Sequence, residues 1–336
     1  MGDNTRMDAF FNRVWASRGV VAWLLWPGSL LFGGLVRLRR MLYAKGLLKV
    51  HRLPVPVLVV GNVRVGGGGK SPTVLALVRH LQQRGWAVAI VSRGYGRRGD
   101  VPDVLEVKPD TDVTLAGDEP LMLARQSGVP VFVGANRVQA AKRALQVWPQ
   151  TQVLIADDGL QHLALGRDVE VVVHSGAGLG NGFMLPAGPL REPWPREADV
   201  VLDTAACREL ADEAVTQSGR IVPLSSLLDQ PVCAVAGIAH PDAFFQMLRG
   251  KGLNLAQVVA LPDHDDFSHW ATARSGLPAD AVILCTEKDA PKLWGHEPNA
   301  LAVQMRLNPP DSFFEQIDAS LARLSTSGPK TAAIHR

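Results

Sequence analysis

Residues 57–72 read VLVVGNVRVGGGGKSP: an apolar run (Val57–Val60), a cationic Arg64, four consecutive glycines (Gly66, Gly67, Gly68 and Gly69), then Lys70 and Ser71. A short valine-rich run predicts a strand, and the glycines let backbone N–H groups close around anionic oxygens. The helical pattern Thr73–Arg84 behind them adds a positive helix N-terminus. Strand, loop and helix together read as a nucleoside triphosphate site. Gly66–Gly69 would cradle phosphates, Lys70 would reach the β- and γ-phosphates, and the Ser71 hydroxyl would ligate Mg²⁺. The strict pattern G-x-x-x-x-G-K-[ST] asks for glycine at position 64, where this chain has Arg64. An ordinary glycine-rich turn is the alternative, disfavoured by the apolar run before it and the helix behind.

Outward from this loop the chain alternates strand-like and helical runs. Strands are expected at Val55–Val60, Ala87–Ser92, Val129–Val133, Val153–Ala156, Val169–Val173 and Asp199–Leu202, with helices at Leu121–Ser127 and Arg137–Val147. Runs such as VLVV and VEVVV suit parallel strands buried on both faces. Residues 176–195 are dense in glycine and proline, a long ordered loop of the kind tied to function. Past residue 205 a second unit begins, with strands at Pro231–Ala239 and Ala281–Cys285 and helices at Pro241–Arg249 and Asp311–Leu324. The fold class is therefore α/β: a P-loop NTPase-like parallel-sheet domain (53–205), a smaller second α/β domain (206–325), a hydrophobic helical amino-terminal segment (1–52) and a polar, disordered tail (326–336).

The 336 residues are 47% hydrophobic and 20% charged with a formal net charge of +3, a globular composition that gives no nucleic-acid signal. Cys207, Cys233 and Cys285 lack metal-ligand spacing, so they read as free thiols in a reducing compartment. Residues 19–36, GVVAWLLWPGSLLFGGLV, carry no charge, and a basic cluster from Arg37 to Arg52 follows. Pro27-Gly28 is expected to interrupt the helix, which favours a segment lying in the membrane interface with Trp23 and Trp26 as anchors. A spanning helix and a buried hairpin of a soluble protein are the alternatives.

Several candidates for chemistry lie where parallel strands end. Asp157-Asp158 follow the run Val153–Ala156, where a phosphate-loop enzyme holds Mg²⁺; a strand-ending turn is the bland account. Asp118 and Glu119 open a helix behind Gly117, a position that helix capping by Asp118 explains equally well. Ser92–Arg98 form a cationic glycine-rich loop that could clamp phosphate or be solvated. His264 sits among acids in P-D-H-D-D-F, without a set of metal-ligand partners. Thr286-Glu287-Lys288-Asp289 follow a strand, where capping by Thr286 or Asp289 is the plain reading.

In order along the chain stand GNVRVGGGGKSP, SRGYGR, GDEP, GANR, DDGLQH, GNGFMLPAGPLREP, PDHDDF and TEKDAPK. This series resembles the tetraacyldisaccharide 4′-kinases, the lipid A 4′-kinases of Gram-negative bacteria, from the amino terminus to about Lys292. The resemblance implies ATP- and Mg²⁺-dependent phosphorylation of the 4′-hydroxyl of a lipid A disaccharide 1-phosphate, a step of lipid A and lipopolysaccharide biosynthesis. It implies a monotopic enzyme on the cytoplasmic face of the inner membrane, whose partners are the lipid substrate and the membrane surface, and it implies no protein partner. Carried over position by position, Lys70 and Ser71 are the phosphate-loop lysine and Mg²⁺-binding hydroxyl. Asp118 is the general base and His264 its partner. Glu119, Asp157 and Asp158 are the acids near Mg²⁺, and Arg191 is an arginine near the transferred phosphate. A membrane-attached regulatory ATPase and a soluble small-molecule kinase are the rival readings.

Overall fold

The computed structural model describes residues 10–11, 13–66, 69–98, 101–174, 178–238, 241–263, 265–278 and 281–326. Gly67, Gly68 and His264, named above as site residues, lie outside the described residues, as does the expected tail beyond Thr326.

The chain forms two compact units, one running to Cys207 and resuming at Pro309, the other spanning Arg208–Asn308. The first unit is built on a seven-stranded sheet of β1 (Val57–Gly61), β2 (Val88–Ser92), β3 (Val104–Val107), β4 (Val131–Gly134), β5 (Val153–Asp157), β6 (Val169–His174) and β7 (Val200–Asp203). Their order is β3-β4-β2-β5-β1-β6-β7, and every pair is parallel except β3–β4. β1, β2, β4 and β5 are buried along their whole length, as runs covered by helices on both faces must be. From β1 the chain crosses to β2 on one side of β5, while β6 pairs on the other side of β1. Such a reversal of strand order opens a crevice at the carboxyl edge, where ligands bind in open α/β sheets.

The helix Asp311–Thr326 belongs to this first unit, not to the second domain expected for 206–325. Its Asp318 takes His80 at 3.0 Å and Arg84 at 2.7 Å, both from the helix region behind the phosphate loop, and Phe314 stacks on the His80 ring at 4.4 Å. Helical periodicity fixes the helix but not the sheet it returns to.

The helix Val20–Ala44 is continuous, so the expected break at Pro27-Gly28 does not occur. A proline costs a helix interior about 3 kcal/mol, and docking offsets it here. Ala22, Ser29 and Gly33 are buried on one face, Ser29 and Gly33 against Met184 of the glycine-proline loop, and a Cβ on Gly28 would lie 3.4 Å from Pro186. The opposite face leaves Val20, Leu24, Leu31 and Leu35 exposed, and the helix is long and apolar enough to cross a membrane.

The second unit holds a six-stranded sheet of β8 (Arg208–Val215), β9 (Ile221–Pro223), β10 (Val232–Ala236), β11 (Leu255–Ala260), β12 (Val282–Thr286) and β13 (Leu301–Leu307) in the order β11-β10-β12-β13-β8-β9. Its first four strands are parallel and the β8–β9 hairpin closes one edge antiparallel. Cores around Phe244 and Phe245, and around Phe267 and Trp270, fill the space beside it. Cys233 and Cys285 are buried in β10 and β12, and no disulfide forms among the three free cysteines.

Candidate active site

β1, β2 and β5 end side by side, so the residues that follow them meet at one edge. Val60 pairs with Asp157, and Val91 with Ala156, which places Asn62, Ser92, Asp157 and Asp158 together. Of the described glycines in the loop, Gly66 (φ +101°) and Gly69 (φ +89°) take left-handed backbone that L side chains rarely adopt. Arg64 needs no such freedom. It sits in an extended bridge with Leu190, its N–H donates to Asn62 Oδ1 at 2.9 Å, and its guanidinium reaches the Gly178 carbonyl at 3.1 Å. The missing first glycine is thus accounted for: at that position this loop runs extended.

Asp158 adopts φ 49°, a conformation that Asp tolerates better than most residues. Lys70 Nζ lies 3.0 Å from its Oδ1, and Arg191 donates to Oδ1 at 3.1 Å and Oδ2 at 3.4 Å. Arg191 also donates to the Asn62 carbonyl at 2.9 Å, and Arg137 to the Asp158 carbonyl at 3.2 Å. Burial alone would raise the Asp158 carboxyl, but Lys70 and Arg191 outweigh it and hold the group well below the usual carboxylate range.

Asp157 has the opposite fate. It is fully buried at the end of β5, and burial followed by the charge of Glu119 pushes it up to about 7, with Asp158 adding a smaller push. Ser92 donates to its Oδ2 at 3.3 Å, while Oδ1 has no hydrogen-bond partner among the described residues. A buried carboxylate oxygen without a donor among the described residues, on a carboxyl raised by burial and neighbouring acids, fits a small divalent cation. Among the described residues no group of three His, Cys, Asp or Glu forms a metal cluster. Mg²⁺ held by one or two carboxylates, a hydroxyl and phosphates needs none.

Asp118 and Glu119 are the first residues of the helix Asp118–Ser127. The cap is Gly117 (φ +87°), without a side-chain capping bond, so Asp118 is not the N-cap that the plain reading made it. A Cβ on Gly117 would lie 2.6 Å from the Tyr95 carbonyl, so only glycine lets this helix start against the loop after β2. In that loop Arg97 is structural, donating to the carbonyls of Leu115 at 2.7 Å and Pro102 at 2.8 Å.

Arg137 and His162 belong to this edge although the sequence reading left them out of the site. Asn136 caps the helix Arg137–Val147 behind β4, and Arg137 is buried at its first turn. The signal was available: a cation one residue past an Asn cap, behind a parallel strand, faces the same carboxyl edge. His162 is pushed down to about 4 by burial and by the charges of Arg137, Arg167, Arg39 and Arg93.

The glycine-proline loop joins this edge to the amino-terminal helix. On one side Asn181 is buried and donates to the carbonyls of Val14, Ser17 and Ala187, while Ser29 donates to the Met184 carbonyl at 2.7 Å and accepts from Ala187 N at 3.0 Å. On the other side Val65 N donates to the Pro189 carbonyl and Arg191 N to that of Val63, a short ladder on the arm of the phosphate loop. Buried Glu192 accepts from Arg40 at 3.3 Å, Arg196 at 3.1 Å and Gln161 at 2.8 Å.

Residues 21–322 match the family model described as tetraacyldisaccharide-1-P 4′-kinase. A protein named tetraacyldisaccharide 4′-kinase from Acidovorax sp. (strain JS42) is 52% identical over 327 residues, which cover 94% of this chain and 95% of the relative. One of the same name from Polaromonas naphthalenivorans is 47% identical, covering 95% of this chain and 96% of the relative. Among solved structures, the "apo" form LpxK of Aquifex aeolicus, crystallised in complex with ATP, aligns with a TM-score of 0.77 at 30% identity over 91% of this chain and 99% of that one. With the phosphate loop, the acids behind β5 and Arg191 in place, the chain belongs to the tetraacyldisaccharide-1-P 4′-kinase family.

Proposed function

We propose that this chain transfers the γ-phosphoryl group of ATP to the 4′-hydroxyl of a tetraacyl disaccharide 1-phosphate, at the cytoplasmic face of the inner membrane. The observation that carries this reading is the cluster of Lys70, Asp158 and Arg191 against the phosphate loop. Phosphoryl transfer asks a protein mainly for positioning and for charges aimed at the phosphates. Lys70 and Arg191 supply those cations, held by Asp158, and the glycine-rich loop would add backbone N–H groups. Ser71, Asp157, Asp158 and Glu119 would hold Mg²⁺, which when bound neutralises charge on the β- and γ-phosphates. Asp118 takes the proton of the sugar hydroxyl, and His264 orients that carboxylate, a contribution typically of about 10²–10⁴-fold.

The helix Val20–Ala44 supports attachment to the bilayer. Its outward apolar face and Trp23 and Trp26 suit the interface, and Arg37, Arg39 and Arg40 suit anionic headgroups. Acyl chains leave a bilayer at a cost of about 0.8 kcal/mol per CH₂, so an enzyme that goes to its substrate avoids that barrier.

The test is transfer of labelled γ-phosphate to a tetraacyl disaccharide 1-phosphate in mixed micelles, with the position of the new phosphate determined. The 4′-product, and a loss of about 10³-fold in kcat for Asp118→Asn with ATP binding intact, are expected. ATP turnover that ignores the acceptor and survives Asp118→Asn would favour a regulatory ATPase instead.

A further inference from the structure

The segment Thr286–Lys292, TEKDAPK, belongs to the second unit and has no part in the chemistry above. The plain expectation was helix capping by Thr286 or Asp289. The helix Ala290–Leu293 does follow Asp289, whose side chain makes no capping bond, while the Thr286 hydroxyl accepts from Asp289 N at 3.3 Å. The buried Asp289 carboxylate instead accepts from Thr286 Oγ1 at 2.6 Å and from Gly237 N at 2.9 Å. It thereby ties the carboxyl end of β12 to that of its neighbour β10. A Cβ on Gly237 would lie 3.0 Å from Asp289 Oδ1 and 3.5 Å from Asp265 Cβ, so the segment after β11 packs directly on this joint.

Two lysines four residues apart reach that segment. Lys288 Nζ is 3.0 Å from Asp263 Oδ1, and Lys292 Nζ donates to the Asp265 carbonyl at 3.3 Å. They grip the residues on either side of position 264. Asp265 N donates to the Pro262 carbonyl at 3.1 Å, and Asp265 Oδ1 accepts from Phe267 N at 2.7 Å. Phe267, fully buried at φ 58°, anchors the exit. Partly exposed ion pairs of this kind add little to stability. Their value lies in geometry.

We infer that Lys288, Asp289 and Lys292 are positioning residues for the reaction, holding the loop that carries His264; this rests on the reading that His264 partners the base Asp118. The motif then serves the acceptor side of the chemistry, with no contact to the nucleotide required.

A double-mutant cycle in the full-length enzyme tests it. Lys288→Met and Lys292→Met should each lower kcat about tenfold, since small misplacements of a catalytic group are costly. KM for ATP and the melting temperature should hold, and Lys288→Arg should recover most of the rate. In a His264→Ala background Lys288→Met should cost nothing further, because residues acting as a unit are not additive. The same tenfold loss in an impaired His264→Ala enzyme overturns the proposal alone, as does a raised KM for ATP with kcat unchanged. A fully active His264→Ala enzyme overturns the dyad reading and the proposal with it.

Discussion

Lys70 Nζ and Asp158 Oδ1 stand 3.0 Å apart, and the Lys70 side chain is only 10% exposed. The lysine of the proposed phosphate loop is thus oriented by an acid that Arg191 also clamps. Asp158→Asn keeps the shape and removes the charge that orients both cations. Steady-state kinetics should show kcat lowered by about 10²-fold with KM for ATP changed less than about threefold. A variant with raised KM and intact kcat would mean that Asp158 serves binding alone.

Two buried groups of this edge pull the pH dependence of stability in opposite directions. Asp157, raised by burial and Glu119 from 3.8 to about 7, keeps a proton that the unfolded chain has lost, so stability falls as pH rises through that window. His162, lowered by burial and four arginines from 6.5 to about 4, lacks a proton that the unfolded chain holds, so stability rises from about pH 4 to 6.5. Thermal melts of wild type should change little between about pH 4.5 and 6.5. Asp157→Asn should rise by a few degrees over that range and His162→Asn should fall, each exposing the remaining group. Parallel curves for the two variants would show the shifts to be misassigned.

Gly66 and Gly69 share left-handed backbone but not surroundings. A Cβ on Gly66 meets nothing within 4 Å, whereas one on Gly69 would stand 2.7 Å from Thr204 Oγ1. Gly66→Ala should cost about 1–2 kcal/mol of backbone strain, and Gly69→Ala that strain plus a steric clash. Chemical denaturation of the two variants should separate them by at least about 1 kcal/mol. Equal losses would place Thr204 away from the loop in solution.

Asn181 is the joint between the amino-terminal helix and the glycine-proline loop. Asn181→Ala strips donors from three carbonyls and should cost about 3 kcal/mol. Because that loop also bears Arg191, kcat should fall while flotation with anionic liposomes is retained. Lost flotation with normal kcat in the variant would confine Asn181 to membrane attachment.

The parts of this fold that could be read from the chain are those where one force dominates. Val57–Val60 is buried on both faces and every valine of Val169–Val173 is buried, and composition alone marks such runs. β3 and β8 carry Glu106, Glu209, Asp212 and Glu213 in half-exposed strands, so their alternation is drowned by charge. The return of Asp311–Thr326 to the first sheet depends on His80 and Arg84, more than 200 residues away. Pro27 misled for a related reason, since a tertiary contact at Gly28 and Ser29 outweighs a local propensity. At the site, Lys70 and the Asp157-Asp158 pair could be proposed from the residues themselves, as a lysine behind a glycine-rich loop and acids at the end of a buried strand, whereas Arg191 entered only through the family resemblance. Arg137 was hidden because its carbonyl contact to Asp158 comes from a third strand-helix junction.

The docking of Ser29 and Asn181 bears on how a water-soluble form of this protein could be made. Cutting away the chain through Ala44 would strand the Met184 carbonyl, the Ala187 N–H and most of the Asn181 amide in the loop that supports Val63, Val65 and Arg191. A cut made to remove the apolar helix would thus loosen the loop that supports the proposed phosphate-binding residues. Replacing only the outward residues Leu24, Leu31, Leu35 and Leu38 with polar ones leaves every one of those bonds in place. Solubility and chemistry part company at the surface of that helix, not at its end.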